Sequence, residues 1–160
     1  MHFVVGFQFS ENGRRVALIH KGRPEWQSGL WNGIGGHVER GETAKAAMER
    51  EFAEETGVSK LDIRWKHFAD LRTWTHHLVS FFLSFTDQVE LVRSTTDEEV
   101  HVWDLSDLRL DAMRAKLVPN VMWLIELALS MREYRVGGDG RESSSLMAVV
   151  EMPPFGKDVP

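Results

Sequence analysis

The 23 residues from Gly36 to Val58 constrain this chain more than any other part of it. They read GHVERGETAKAAMEREFAEETGV. Thr43 is a suitable N-cap residue, residues 44–48 are good helix formers, and Gly57 suits the left-handed position that ends many helices. The segment therefore predicts a helix held between two glycine turns, with the glycine-rich loop 31–36 and a strand before it.

Three carboxylates lie at helical spacing near the end of this predicted helix. Glu54 and Glu55 follow Glu51 by three and four residues, so the three side chains are neighbours on the helix surface. The negative end of the helix dipole already disfavours acidic groups at this place. Such a cluster calls for a compensating cation, and a hard divalent ion such as Mg²⁺ prefers oxygen ligands.

Helical phase also indicates the direction in which these acids point. At about 100° per residue, they fall on the side that carries Ala44, Ala47 and Met48, whereas Lys45 and Glu49 fall on the other side. We therefore expect the three glutamates to face the body of the protein. The alternative is a solvated charged face, which is what most runs of charge form.

The whole segment resembles the Nudix box, with the pattern G-x5-E-x7-R-E-U-x-E-E-x-G-U, in which U is an apolar residue. Every defined position is matched, by Gly36, Glu42, Arg50, Glu51, Phe52, Glu54, Glu55, Gly57 and Val58. The resemblance implies an α/β fold, the Nudix α/β/α sandwich, in which a mixed β-sheet lies between helices. It also implies a hydrolase that cleaves a nucleoside diphosphate linked to another group and uses Mg²⁺ or Mn²⁺.

The resemblance further implies the residues of the site. The metal ligands would be the backbone carbonyl of Gly35 and the carboxylates of Glu51, Glu54, Glu55 and Glu98, with Glu99 as an alternative to Glu98. The catalytic group would be Glu51, Glu54, Glu55 and Arg50, and Arg50 would pair with Glu42 to hold loop and helix in register. One of the carboxylates would orient or deprotonate the attacking water, and the pattern does not say which one.

The Nudix box indicates the type of reaction but not the substrate. Downstream of it, the family's ADP-ribose subgroup has a proline and its dinucleoside polyphosphate subgroup has a tyrosine, but this chain has Trp74-Thr75-His76. The upstream signature of the coenzyme A subgroup is also missing. Elimination favours a nucleoside triphosphate, and Leu30 to Gly36 is similar to MutT-type enzymes that act on oxidised purine triphosphates.

That similarity implies that Asn32 and Asn120 bind the base. Trp31 is a candidate to stack on the base, and His37, in the glycine loop, is a candidate to contact the substrate phosphates. An amide offers both a donor and an acceptor to a base edge, and an indole ring offers a stacking surface. Each assignment has a plain alternative. Asn120 is equally suited to cap the last helix, and Trp31 is equally suited to the core.

Other functions stay open at this point. A Nudix hydrolase of ADP-ribose, a nucleotide sugar or a dinucleoside polyphosphate would carry the same box. Some proteins with this fold are regulatory domains that bind nucleotides without hydrolysing them. Those domains usually lose glutamates from the box, whereas this chain keeps all of them, so the enzyme is favoured.

Composition bounds the class of protein. The chain has 160 residues, 42% of them apolar, no cysteine, and a formal net charge of −5. One domain with a sizeable core and no disulfide framework is expected. No basic run suits a nucleic acid polymer, and neither a signal peptide nor a bilayer-spanning apolar run of about 20 residues is evident. We expect a cytoplasmic protein, monomer or homodimer, whose partner is a small nucleotide and not a membrane.

Hydrophobic patterning outlines the remaining elements. Strands are predicted at Phe3–Phe9, Val16–His20, Ile63–Leu71, His77–Phe85 and Val100–Asp104, the first two as a hairpin, and a helix at Val118–Tyr134. The predicted domain spans 1–136. The tail 137–160 has linker composition, and is either mobile or contains a late edge strand at Leu146–Met152.

Overall fold

A computed structural model describes residues 1–59, 63–73, 76–133 and 148–152. Its strands are β1 His2–Phe9, β2 Arg15–His20, β3 Trp31–Asn32, β4 Lys66–Thr73, β5 Leu78–Phe85, β6 Val100–Asp104 and β7 Ala148–Met152. Its helices are α1 Ala44–Thr56, α2 Leu105–Leu108, α3 Asp111–Arg114 and α4 Val121–Glu133. Two 3₁₀ turns lie at Glu25–Gln27 and Asp87–Leu91.

The strands form one mixed sheet. Its order is β3-β2-β1-β5-β4-β7, and β6 pairs with β2 away from this path. β1 and β2 are antiparallel, as the predicted hairpin requires, whereas β1 and β5 are parallel over their whole length. The apolar strand β5 lies between β1 and β4, inside the sheet.

Two apolar clusters cover the two faces of the sheet. Side chains alternate between the faces along each strand. On β2, Leu18 joins the cluster that contains Ile125 of α4, while Ile19 joins the cluster that contains Met48 and Phe52 of α1. A helix therefore packs on each face, and the α/β/α sandwich is confirmed.

Local signals place the ends of α1 where the sequence predicted them. The Thr43 hydroxyl accepts a hydrogen bond from the Ala46 N–H at 3.1 Å. Gly57 has φ of +70°, and its N–H donates to the Ala53 carbonyl at 2.9 Å. The helix thus ends at a left-handed glycine, immediately after the acidic cluster.

Other boundaries differ from the predictions by a few residues. The last helix begins at Val121 and not at Val118, since Pro119 and Asn120 form the turn that leads into it. β4 begins at Lys66 and not at Ile63, and reaches Thr73. The short helices α2 and α3 were not predicted at all.

The last part of the chain contributes an edge strand. β7 pairs in parallel with β4, with Ala69 opposite Ala148 and Thr73 opposite Met152. Residues 134–147 and 153–160 lie outside the described residues, so the predicted domain boundary after residue 136 stays a prediction. Of the helices in the described ranges, none has the length and apolar character needed to cross a membrane.

Candidate functional site

The glycine-rich loop between β3 and α1 lies directly against β1. The Gly6 N–H donates to the Ile34 carbonyl at 2.7 Å, and the Val4 N–H donates to the Gly36 carbonyl at 2.9 Å. A Cβ on Gly35 would lie 2.1 Å from the Val4 carbonyl oxygen. Only glycine permits this approach, which fixes the Gly35 carbonyl beside the start of the box.

Gly36 makes room for a carboxylate. A Cβ at this position would lie 2.4 Å from the carboxylate carbon of Glu51. The Glu51 side chain, which is 15% exposed, therefore occupies the space that a side chain on the loop would fill. Loop and helix meet at this carboxylate.

Arg50 joins the loop to α1. Its Nε and Nη2 donate to the two oxygens of Glu42, both at 3.0 Å, and Nη2 also donates to the His37 carbonyl at 2.9 Å. The hydrogen bonds to Glu42 are the main reason why the pKa of Arg50 lies above its ordinary value. This two-pronged pair is the expected link between loop and helix.

The same guanidinium also binds two carboxylates of the box. Arg50 Nη1 donates to Glu51 Oε1 at 2.9 Å and to Glu54 Oε2 at 3.2 Å. The Glu54 side chain is 58% exposed, so the expectation that all three glutamates face the body of the protein is wrong for Glu54. Glu54 lies about 200° around the helix from the buried Phe52, which puts it on the outer rim.

Glu55 points to a different neighbour. Its Oε2 accepts a hydrogen bond from the Thr96 hydroxyl at 2.6 Å. The Thr95 hydroxyl also donates to the Glu54 backbone carbonyl. The loop before β6 is thereby attached to the end of α1, close to Glu55.

Glu98 lies on this same loop and is held from β2. Its Oε2 accepts from Lys21 Nζ at 2.5 Å, and its Oε1 accepts from the Gly22 N–H at 2.6 Å. Burial opposes the charge on this carboxylate, but the hydrogen bonds from Lys21 and Gly22 outweigh it and hold the pKa of Glu98 below its ordinary value. Glu98 is therefore an anion fixed in place by its donors.

Glu55 and Glu98 face one cleft of about 750 Å³. Its walls come from the end of β2 with the following loop, from α1, and from the loop before β6. The lining residues are His20, Lys21, Gly22, Arg23, Ser28, Gly29, Glu55, Thr96, Asp97, Glu98 and Glu99. The cleft thus combines carboxylates with basic side chains.

The donor set suits a hard divalent cation, although its carboxylates are now turned to internal partners. Glu51 and Glu54 contact Arg50, Glu55 contacts Thr96, and Glu98 contacts Lys21. Over the described ranges, no three acidic or histidine side chains are arranged as a metal site. Carboxylate oxygens are the ligands that Mg²⁺ takes, and the space at Gly36 leaves the Glu51 carboxylate beside the loop, so the residues fit the ion chemically.

Two of the predicted base-binding residues, Trp31 and Asn32, form β3, an edge strand of the sheet. Trp31 is 8% exposed and packs edge-on against Trp103, with a ring-centroid distance of 5.2 Å, and beside His20 at 5.0 Å. Its backbone N–H donates to the Lys116 carbonyl, and its carbonyl accepts from the Val118 N–H. The structure thus places Trp31 in the core and ties β3 to the segment that precedes Asn120.

Asn32 has a defined amide orientation. It is 9% exposed, and its Oδ1 accepts from the Gly33 N–H at 2.8 Å. The Gly33 N–H can only donate, so this contact fixes which end of the amide is the oxygen. Nδ2 then donates to Gln27 Oε1 at 3.0 Å, which leaves one N–H of Asn32 for another partner.

Asn120 and His37 occupy less enclosed places. Asn120 is half-buried directly before α4, and its backbone carbonyl accepts from the Leu124 N–H at 3.0 Å, so it stands at the N-cap position. His37 is exposed, and its ring packs edge-on against Phe3 at 5.4 Å. Neither side chain lines the cleft.

Sequence reasoning missed several residues of this site. Lys21, Thr96 and Gln27 each contact a residue that was singled out, yet none was predicted. The available signal was weak. Lys21 and Arg23 follow the predicted strand Val16–His20 at once, where a basic pair beside a glycine suits anion binding.

Comparison with known proteins defines the class. The NUDIX domain family matches residues 3–124. This match covers well over half of the chain, so the chain belongs to the NUDIX family and is a Nudix hydrolase.

Solved structures agree on the fold. A MutT structure described for Aliivibrio salmonicida and Vibrio cholerae has a TM-score of 0.57 and 23% identity, covering 78% of this chain and 95% of that one. A NUDIX-family hydrolase from Clostridium perfringens has a TM-score of 0.63 and 15% identity, covering 81% and 96%. The NUDIX domain of Shewanella oneidensis NrtR, in complex with ADP ribose, has a TM-score of 0.59 and 19% identity, covering 82% and 88%. At these identities the likeness concerns the fold.

Proposed function

We propose that this chain hydrolyses a purine nucleoside triphosphate to the monophosphate and pyrophosphate, with Mg²⁺ or Mn²⁺. The observation that carries the proposal is the cleft in which Glu55 and Glu98 face Lys21 and Arg23. A polyphosphate with a bound divalent ion needs carboxylates for the metal and basic groups for the remaining phosphate charge. Both kinds of group line this one cleft.

The metal would be held by Glu51, Glu54, Glu55 and Glu98, with the backbone carbonyl of Gly35. When bound, a divalent ion neutralises charge on the phosphate oxygens and orients water for in-line attack. One carboxylate of the chain would accept a hydrogen bond from the attacking water and take up its proton, while pyrophosphate leaves. No cysteine is present to act as a nucleophile, which supports direct hydrolysis by water.

Arg50 has a positioning role in this proposal. Its bonds to Glu42 and to the His37 carbonyl fix the glycine loop against α1. Nη1 keeps Glu51 and Glu54 side by side before the metal arrives. Arg50 would therefore contribute to catalysis by holding Glu51 and Glu54 in position.

Asn32 and Asn120 are proposed to read the base. The hydrogen bonds of Trp31 to residues 116 and 118 connect the strand of Asn32 to the segment that leads to Asn120, which supports a shared base site. Asn32 presents one free N–H in a fixed orientation, which suits an acceptor on the base. Trp31 would form the wall behind it, and His37, whose carbonyl accepts a hydrogen bond from Arg50, is proposed to contact the phosphates.

The proposal is tested by turnover of a nucleotide panel with Mg²⁺, with products identified by chromatography. The panel holds ordinary and 8-oxo purine triphosphates, pyrimidine triphosphates, ADP-ribose and a dinucleoside polyphosphate. We expect a purine triphosphate to be the best substrate. Turnover confined to ADP-ribose or the dinucleotide would support a Nudix reaction but contradict a purine triphosphate as the substrate. Nucleotide binding without turnover would favour a non-catalytic domain.

Asn120→Ala tests the base-reading role separately. We expect the preference for purines over pyrimidines to weaken several-fold, since one bidentate contact to a base is worth about 1–3 kcal/mol. Steady-state kinetics on both substrates give the ratio, and Mn²⁺ binding serves as the control that should not change. An unchanged ratio with a stability loss of about 1 kcal/mol would assign Asn120 to helix capping alone.

A further inference from the structure

The contact between Lys21 and Glu98 is unusually enclosed for an ion pair beside a cleft. The two side chains are only 15% and 16% exposed, and their charged atoms are 2.5 Å apart. Among the other ion pairs of the described residues, Arg15–Glu90 and Arg109–Glu126 are about half exposed. The pair of Arg50 with Glu51 comes near in enclosure, with side chains 24% and 15% exposed. The enclosed pair lies in the same cleft as Glu55.

The two oxygens of Glu98 have different kinds of partner. Oε1 is held by the backbone N–H of Gly22, which moves only if the loop after β2 moves. Oε2 is held by the flexible side chain of Lys21. The carboxylate can therefore stay in place through Oε1 while Oε2 exchanges one cation for another.

Lysine and arginine differ in how readily they permit such an exchange. A lysine ammonium is a compact point charge on a flexible stem, whereas a guanidinium binds through a rigid fork. Arg50 is fixed by Glu42 and the His37 carbonyl in addition to its contacts with Glu51 and Glu54. Among the described residues, Lys21 forms an ion pair with Glu98 alone, and the open cleft lies beside it.

We propose that Lys21 is a positioning residue for Glu98, and that its ammonium occupies the place on Glu98 Oε2 that a divalent cation takes in the metal-bound protein. Metal binding and the release of Lys21 are then one event. The lysine stays protonated, no bond to carbon or phosphorus changes, and one cation replaces another on the same oxygen. This inference rests on the proposed function in one respect, the binding of a divalent cation in the cleft.

The test is the affinity of the nucleotide-free protein for Mn²⁺, measured by electron paramagnetic resonance. Lys21→Met removes the competing charge and should bind Mn²⁺ about tenfold more tightly. A factor of about ten corresponds to one pKa unit, the lower end of the shift that a nearby charge produces. Lys21→Arg keeps a cation that binds through a rigid fork and exchanges less readily, so it should bind Mn²⁺ no more tightly than the wild type. The double variant Lys21→Met with Glu98→Gln should lose the gain. Lys45→Met, on an exposed lysine of α1, is the matched control.

A merely structural ion pair would give a different result. Loss of Lys21 would then loosen the loop before β6 and leave the Mn²⁺ affinity unchanged or weaker, and this would overturn the inference. A wild type that hydrolyses nucleotide with metal, together with this result, would leave the proposed function intact. A wild type that binds no divalent cation would overturn both.

A second measurement needs no variant that could fail to fold. The side-chain Cε and Nζ signals of Lys21 are followed by NMR while Mg²⁺ is added to the wild type. We expect them to shift and to saturate with the same dissociation constant as Mg²⁺ binding, while the signals of Lys45 stay constant. Unchanged Lys21 signals at saturating Mg²⁺ would contradict the exchange.

Discussion

The acidic site has two parts that neutralise charge in different ways. The helix group is Glu51 and Glu54, which share the guanidinium of Arg50. The cleft group is Glu55 and Glu98, which contact a threonine hydroxyl, a lysine and a backbone N–H. The helix group is fixed by a residue of its own helix, whereas the cleft group depends on loops that come from distant parts of the chain.

This difference indicates that the contacts of the helix group stabilise the fold, whereas the contacts of the cleft group change when an ion binds. A guanidinium held by four acceptor groups is part of the fold, because removing it takes the shared cationic donor away from three carboxylates. The Thr96 hydroxyl and the flexible Lys21 ammonium can be displaced by a divalent cation at a smaller cost in free energy. We infer that Arg50 organises Glu51 and Glu54 as metal ligands, and that the partners of Glu55 and Glu98 are the ones that metal and substrate displace.

The largest expected effect is on Glu55, whose loss would break the cleft group. Glu55→Gln should lower kcat by about 10²-fold or more with the melting temperature nearly unchanged, since the amide still accepts from Thr96. Steady-state turnover and thermal unfolding measure the two quantities. Glu49→Gln is the matched control on the same helix, and near-normal turnover in Glu55→Gln would remove Glu55 from the site.

Loss of the contacts in the helix group should lower mainly the free energy of unfolding. Arg50→Ala leaves Glu42, Glu51 and Glu54 without their shared donor and should lower the free energy of unfolding by about 2 kcal/mol, as expected for hydrogen bonds to charged groups. Arg50→Lys should recover only part of this, because an ammonium cannot form the fork. Denaturant unfolding measures both. Full stability in Arg50→Ala would erase the distinction between the two groups.

The pH dependence of stability sharpens the comparison at Glu98. The pKa of Glu98 is lower in the folded than in the unfolded protein, so its carboxylate stabilises the fold above the unfolded value and loses this contribution as pH falls through the folded value. The difference in melting temperature between wild type and Glu98→Gln should be largest near neutral pH and shrink below about pH 4. A difference that is constant with pH would mean that the charge of Glu98 contributes nothing.

The smallest effect is expected outside both groups. Lys45 pairs with Glu49 at 3.8 Å on the outer side of α1, and its side chain is 63% exposed. Lys45→Ala should change the free energy of unfolding by no more than about 0.5 kcal/mol and leave turnover unchanged. A clear loss of activity would show that the acidic site extends across the helix.

Local sequence signals predicted much of the fold. The cap at Thr43, the left-handed Gly57 and the hairpin of β1 and β2 all depend on residues close together in the chain, and all were predicted. The helices α2 and α3 were missed because four-residue helices carry too little periodicity to detect. The edge position of β7 depends on pairing with β4, which no local pattern reports.

The site was predicted less completely than the fold. The pairing of Arg50 with Glu42 follows from the spacing of the box, and the structure contains it. The contact of Lys21 with Glu98 joins residues 77 positions apart, so it requires the packing of β2 against β6. The exposure of Glu54 was mispredicted because the apolar face was drawn through Ala44, Ala47 and Met48. The buried face runs instead through Ala47, Met48, Phe52 and Thr56, and so turns away from Glu54.

The central claim is metal-dependent cleavage of a triphosphate in this cleft. The most direct test follows a purine nucleoside triphosphate with the protein and Mg²⁺ by ³¹P NMR. The account predicts that the signals of pyrophosphate and monophosphate grow together, and that neither grows with Glu55→Gln or with chelator present. Growth of orthophosphate with a nucleoside diphosphate, or a triphosphate spectrum that does not change, would contradict it.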